Sequence, residues 1–158
     1  MGDIEEKLQN FLTKIDQWMY SSNIQYRNAP FDKNDEVLNI LDCNINDLRE
    51  RTTENHQENI MILNQYRHQL LHVVAREKSI KAWAEQGINY LIAGKEFNKF
   101  MKWEEKYFTV IKKNAVGEKL QELKTTSEAR IMSAEATIKT VETAIKVLEN
   151  LGRSKVWT

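Results

Sequence analysis

The sequence holds one proline, one cysteine and five glycines in 158 residues. So few chain-reversing residues exclude folds that turn often, such as β-sandwiches and barrels. They also leave no glycine-rich loop of the kind a Rossmann-type nucleotide site requires. A lone Cys43 rules out an internal disulfide framework and a cysteine-rich zinc site. No apolar run reaches membrane-spanning length, and Met1-Gly2-Asp3-Ile4-Glu5-Glu6-Lys7 lacks the basic flank and apolar core of a signal peptide. The 23 basic and 23 acidic side chains cancel, so no global field draws a polyanion. These absences predict an all-α, soluble chain of a reducing compartment.

The zero net charge hides a split. Residues 1–59 carry six basic and twelve acidic side chains, and residues 60–158 carry 17 basic and 11 acidic. The expected organisation is therefore an acidic N-terminal helical segment, 1–59, and a basic helical hairpin, 60–158, in one compact unit. Either the acidic part lies on the basic part, or the two faces serve different partners.

Apolar spacing supplies the elements. Asp3 and Glu6 have capping-box spacing, and Ile4, Leu8, Phe11, Leu12, Ile15, Trp18 and Met19 follow at steps of three and four. Ser21 to Asn23 end this helix, and Asn28-Ala29-Pro30 reads as a connection. Asn34 is placed to cap a second helix with Val37, Leu38, Ile40, Leu41, Ile45 and Leu48 on one face. Residues 49–59 have no apolar side chain, and only the tandem Thr52-Thr53 weakens a helix there, so continuity is favoured over a loop.

From Ile60 to Ala93 a seam runs through Ile62, Tyr66, Gln69, Val73, Arg76, Ile80, Trp83 and Gly87, flanked by Leu63, Leu70, Val74 and Leu91. Ala93-Gly94-Lys95 is a turn signal. A second run starts at Phe97 and, past a plausible kink at Asn114 to Gly117, continues to Leu151. The reading is a long antiparallel hairpin, Ile60–Ala93 against Phe97–Leu151, with one or two shorter helices before it. The second arm is the longer, which leaves Ile131, Ile138, Val141, Ile145 and Leu148 as an uncovered seam. That end is expected to bury itself in a homo-oligomer, coiled-coil fashion.

No catalytic constellation stands out. Glu104-Glu105 lie among lysines as helix-surface charge, and Cys43, beside Ile40 and Leu41, reads as a small packed hydrophobe. His68 and His72 share a helix face at metal-ligand spacing. They lack a His-Glu-x-x-His or Glu-x-x-His motif, so they read as exposed side chains beside Arg67 and Arg76 rather than as a metal site. The expectation is a protein with no cofactor, no metal and no enzymatic activity.

The segment from Arg67 to Lys113 interleaves cations with Tyr66, Trp83, Tyr90, Phe97, Phe100, Trp103 and Tyr107. Lys95, Lys99, Lys102 and Lys106 step by four, three and four, as one stripe of a helix would. Such a pairing suits single-stranded nucleic acid, because cations follow the phosphates and each aromatic plane can stack a base. The competing account is a solvated helix over an aromatic core, since Phe97, Phe100 and Trp103 also suit a buried seam. The candidate contacts are Arg67, Arg76, Lys78, Lys81, Lys95, Lys99 and Lys102.

The order Leu63-Asn64-Gln65-Tyr66-Arg67, Ala75-Arg76-Glu77-Lys78, Tyr90 and Gly94-Lys95 is followed by Glu118-Lys119-Leu120-Gln121, Ile131, Glu135 and Ile138. Val141-Glu142, Ile145-Lys146, Leu148 and Gly152-Arg153 close it. This layout resembles the UvsY family of bacteriophage recombination mediators over about residues 62–153. It departs where Leu91-Ile92-Ala93 replaces an aromatic pair before the turn glycine, and where members carry a further basic and aromatic tail. The resemblance implies a non-enzymatic homo-oligomer in the bacterial cytoplasm that binds single-stranded DNA through Arg76, Lys78 and Lys81. It further implies that the protein helps a recombinase replace the single-strand-binding protein, with the acidic part for protein contacts. The alternative is a helical protein–protein module, a phage inhibitor of a host factor or a virion scaffold component, without nucleic acid.

Overall fold

The computed structural model describes residues 2–22 and 31–156, and among them there is no strand. Six helices follow in order: α1 Gly2–Ser21, α2 Asn34–Leu41, α3 Ile45–Glu50, α4 Thr53–Ala93, α5 Trp103–Lys113 and α6 Ala115–Val156. The fold is all-α, with the long helices α4 and α6 packed together. The connection expected at Asn28-Ala29-Pro30 lies outside the described residues.

Side-chain caps explain where the chain breaks. Asn44 Oδ1 accepts the Asn46 N–H at 2.9 Å and starts α3, which splits the single second helix expected from spacing. Thr52 Oγ1 accepts the Asn55 N–H at 3.2 Å, so the tandem threonines open α4 rather than lying inside a continuous rod. A hydroxyl that satisfies a free N–H of the first turn is worth about 1 kcal/mol, which outweighs the weak helix preference of residues 49–59. Asn114 Oδ1 accepts the N–H groups of Val116 at 2.9 Å and Gly117 at 3.3 Å and turns the kink into a break between α5 and α6. A Cβ at Gly117 would come within 2.6 Å of the Val110 carbonyl oxygen, so the close return of α6 over α5 requires glycine.

The chain divides into two compact units that cut across the division at 59/60. The first joins α1, α4 from Ala75, α5 and α6 up to Ile131. Its core gathers Ile4, Ala84, Ile88, Val110 and Leu120, with Trp83, Leu91, Phe97 and Tyr107 packed around them. The second joins α2, α3, α4 up to Val74 and α6 from Met132. Its core gathers Phe31, Val37, Ile40, Leu48, Leu63, Val141, Ile145 and Leu148.

This corrects the expected overhang. Residues 94–114 are spent on the connection and α5, which leaves α4 and α6 with 41 and 42 residues, so neither outruns the other. Ile131, Ile138, Val141, Ile145 and Leu148 are all buried within the chain, Val141 completely. They form core, not an open subunit seam.

The seam of α4 also shifts by one residue. Leu63, Val74, Ile80, Ala84 and Ile88 are buried, whereas Val73 is exposed. On α6, Leu120, Ser127, Ala134, Val141 and Leu148 are buried at steps of seven, with Ile131, Ile138 and Ile145 between them, the coiled-coil period. The expected α4 seam mixed two stripes. Tyr66 instead meets Phe31 at 5.3 Å between ring centroids, and Trp83 stacks on Phe11 at 6.3 Å.

Candidate nucleic-acid interface

The first unit ends in a surface built from residues 94–113. Helix α4 stops at Ala93, where the Gly94 N–H donates to the Tyr90 carbonyl at 3.0 Å. A short turn follows, in which Asn98 takes the N–H of Phe100 on its side chain and that of Met101 on its carbonyl. The Lys102 N–H then donates to Glu105 Oε2 at 3.2 Å, and α5 begins. Lys95, Lys99 and Lys102 therefore sit on a connection, not in one helical stripe with Lys106 as the spacing suggested.

That connection sorts the aromatics. Phe97 turns into the core, while Phe100 is 81% exposed and Trp103 and Phe108 are each 55% exposed. Tyr90, at the end of α4, is exposed as well. Lysines accompany the rings: Lys99 Nζ lies 5.1 Å from the Phe100 centroid and Lys112 Nζ lies 5.9 Å from that of Phe108. Trp103 and Tyr107 sit 5.1 Å apart at 34°. Residues 94–113 hold six lysines and three glutamates. Exposed ring faces of this size are open to stacking, and the excess of lysine favours an anionic ligand.

The basic residues expected on α4 are differently placed. Arg67, in the second unit, donates from Nε to Glu142 at 2.9 Å. Arg76 pairs with Asp16 of α1 at 3.0 Å. Lys81 lies 3.3 Å from Glu128 and 4.0 Å from Glu85. Lys78 is exposed on α4. Arg67, Arg76 and Lys81 thus neutralise carboxylates of the same chain, which removes part of their pull on phosphate. Lys95, Lys99 and Lys102 remain on the exposed connection, and Lys106, Lys112 and Lys113 join them from α5. The alternation of lysine and aromatic residues over 95–113 carried that signal, but a helical reading of the segment buried half of it.

A half-buried charged cluster adjoins this surface. Burial pulls the Lys124 ammonium down, but the Tyr107 hydroxyl, Glu85 and Glu128 together outweigh it and raise its pKa. Tyr107 in turn donates to Gln121. These contacts hold the Tyr107 ring in its tilted contact with Trp103. In the second unit His56 is 1% exposed, and neither ring nitrogen has a hydrogen-bond partner. Burial, then Lys155 and Arg51, push its pKa below the usual imidazole value. Among the described residues no group of three or more His, Cys, Asp or Glu is placed to hold a metal ion, and no helix is long and apolar enough to cross a membrane.

Compared with known protein families, curated proteins and solved structures, the chain matches none of them.

Proposed function

We propose that this protein is a non-enzymatic binder of single-stranded DNA that acts as a recombination mediator, helping a recombinase displace single-strand-binding protein. The observation that carries the DNA-binding part is the exposure of Phe100, Trp103 and Phe108 beside Lys99, Lys102 and Lys112 on residues 94–113. Large aromatic faces left in water forfeit burial that a folded core would have given them, and bases recover it by stacking. The lysines supply a local field that the neutral chain lacks as a whole. The mediator role rests on the layout resemblance to the UvsY family, and the recombinase and single-strand-binding protein enter as partners on that ground alone.

Binding of labelled oligo-dT over a salt series tests the reading. Affinity should fall steeply with salt and drop when Phe100 and Trp103 are both changed to alanine. No binding by wild type at about 50 mM salt, where phosphate contacts are strongest, overturns it.

A second reading has its own observation. In the second unit, Ile40, Leu41, Cys43, Ile45, Leu48, Ala144, Val147 and Leu148 line an apolar groove of about 200 Å³. Leu38 and Ile45 are exposed on α2 and α3. Such a surface suits a protein-interaction module without nucleic acid, and it would persist in a variant that has lost all DNA affinity.

A further inference from the structure

His68 and His72 lie one turn apart within α4, away from both of its ends. Their Nε2 atoms approach to 3.1 Å, with ring centroids 4.6 Å apart and ring planes at 87°. His68 is exposed and His72 half-exposed, so the pair is reachable from solvent. The third histidine of the chain, His56, is buried and does not compete.

We propose that His68 and His72 form a two-nitrogen binding site for a divalent late transition metal of the Ni2+ and Cu2+ class. The helix holds both imidazoles on one face, so the second nitrogen binds without a further search in space. With metal–nitrogen bonds of about 2.1 Å, two nitrogens 3.1 Å apart subtend an angle of about 95° at the ion. That is the angle between neighbouring ligands of a square-planar or octahedral ion. A tetrahedral zinc ion would spread the same two nitrogens to about 3.4 Å. The spacing therefore ranks Ni2+ and Cu2+ ahead of Zn2+, and imidazole excludes Mg2+ and Ca2+, which take oxygen ligands.

In the neutral pair one Nε2–H donates to the other Nε2; with metal bound, both rings carry their proton on Nδ1. Binding then needs a tautomer change and no net loss of a proton. No group of three or more potential ligands occurs among the described residues, so the remaining coordination positions are open to water or an exogenous ligand. The absence of a carboxylate motif, which set metal aside in the sequence, excludes only a closed site.

The test uses the full chain carrying Cys43→Ser, so that no thiolate binds the ion. Calorimetric titration with Ni2+ should give one ion per chain, and about 1 mM Ni2+ should raise Tm by about 3 °C or more. Zn2+ should shift Tm less and Mg2+ not at all. His68→Gln and His72→Gln should each weaken Ni2+ binding about tenfold or more, since one imidazole alone forfeits the chelate, and the double variant should bind no more tightly than either. Circular dichroism checks that both variants keep wild-type helicity; His68 is exposed, so its variant alone suffices if the other unfolds. Unchanged Ni2+ affinity in His68→Gln, or a Ni2+ shift no larger than that of Mg2+, overturns the site. A larger shift with Zn2+ than with Ni2+ overturns the assignment of metal class.

Discussion

Arg76 of α4 lies with its guanidinium 3.0 Å from the carboxylate of Asp16 in α1, sixty residues away in the chain. The pair joins α1, with four acidic and two basic side chains, to α4, whose four acidic and four basic side chains cancel, inside the first unit. Residues 1–26 and 75–131 carry 14 basic and 12 acidic side chains, a net charge of +2, and the rest carry 9 and 11, a net charge of −2. Folding thus reduces a split of −6 and +6 along the sequence to a mild difference between units, with the acidic α1 laid on α4.

Removing that pair should cost little. Both side chains are about a third exposed, so a double-mutant cycle of Asp16→Ala and Arg76→Ala should give a coupling of about 0.2–1 kcal/mol in urea unfolding. Affinity for oligo-dT should change less than twofold in Arg76→Ala. A large drop in DNA binding in that variant would return the site to α4.

The exposed rings should behave oppositely. Trp103→Ala should lower oligo-dT affinity by about fivefold or more at unchanged stability, because each stacked base contributes about 1–3 kcal/mol. Changing Lys99 and Lys102 to alanine should reduce the slope of log affinity against log salt by about 0.7 for each phosphate that is no longer neutralised. Quenching of tryptophan fluorescence on binding checks the first claim, and the salt series checks the second.

Val141→Asp should unfold the chain rather than split an oligomer. Val141 is fully buried against the second core, and an unpaired carboxylate there costs several kcal/mol. A melting curve without a cooperative transition is the expected result. A well-folded monomer would instead restore the open-seam expectation.

Gly117→Ala should destabilise by about 1–3 kcal/mol, since its Cβ would meet the Val110 carbonyl at 2.6 Å and backbone cannot easily give way. Thermal unfolding of the purified variant measures it. Gly94, where an added Cβ would meet nothing closer than 3.4 Å, is the control.

His56 sets a pH dependence. Its folded pKa lies below the ordinary value of 6.5, so the unfolded chain binds the proton more readily. Its contribution is fully present above pH 6.5 and is lost as pH falls from there through the lowered folded value. His56→Leu should remove that acid step and should not lower stability at pH 7, because both ring nitrogens are buried without partners. Urea midpoints across pH 5 to 7.5 decide it. An identical pH profile in the variant would assign the step elsewhere.

Few turn residues and three–four spacing determined the all-helical class and the extent of α1, and marked Asn114 to Gly117 as a kink. These are local properties, set by backbone preference and by which side chains can share a helix face. The candidate surface was half legible: lysine and aromatic residues alternate visibly over 95–113, but spacing alone extends them into a helix. Tertiary structure decided the rest. Asn44 and Thr52 act as caps only where packing turns the chain, and two apolar stripes on α4 cannot be told apart until α1 takes Trp83 and α6 takes Leu63 and Ala84. Equal lengths of α4 and α6 close the apolar seam within one chain. Carboxylates from distant positions, Asp16, Glu128 and Glu142, claim cations that a linear reading leaves for phosphate. Charge neutralisation across long sequence separations is a property of the fold, because only packing sets which opposite charges come within a few ångströms of each other.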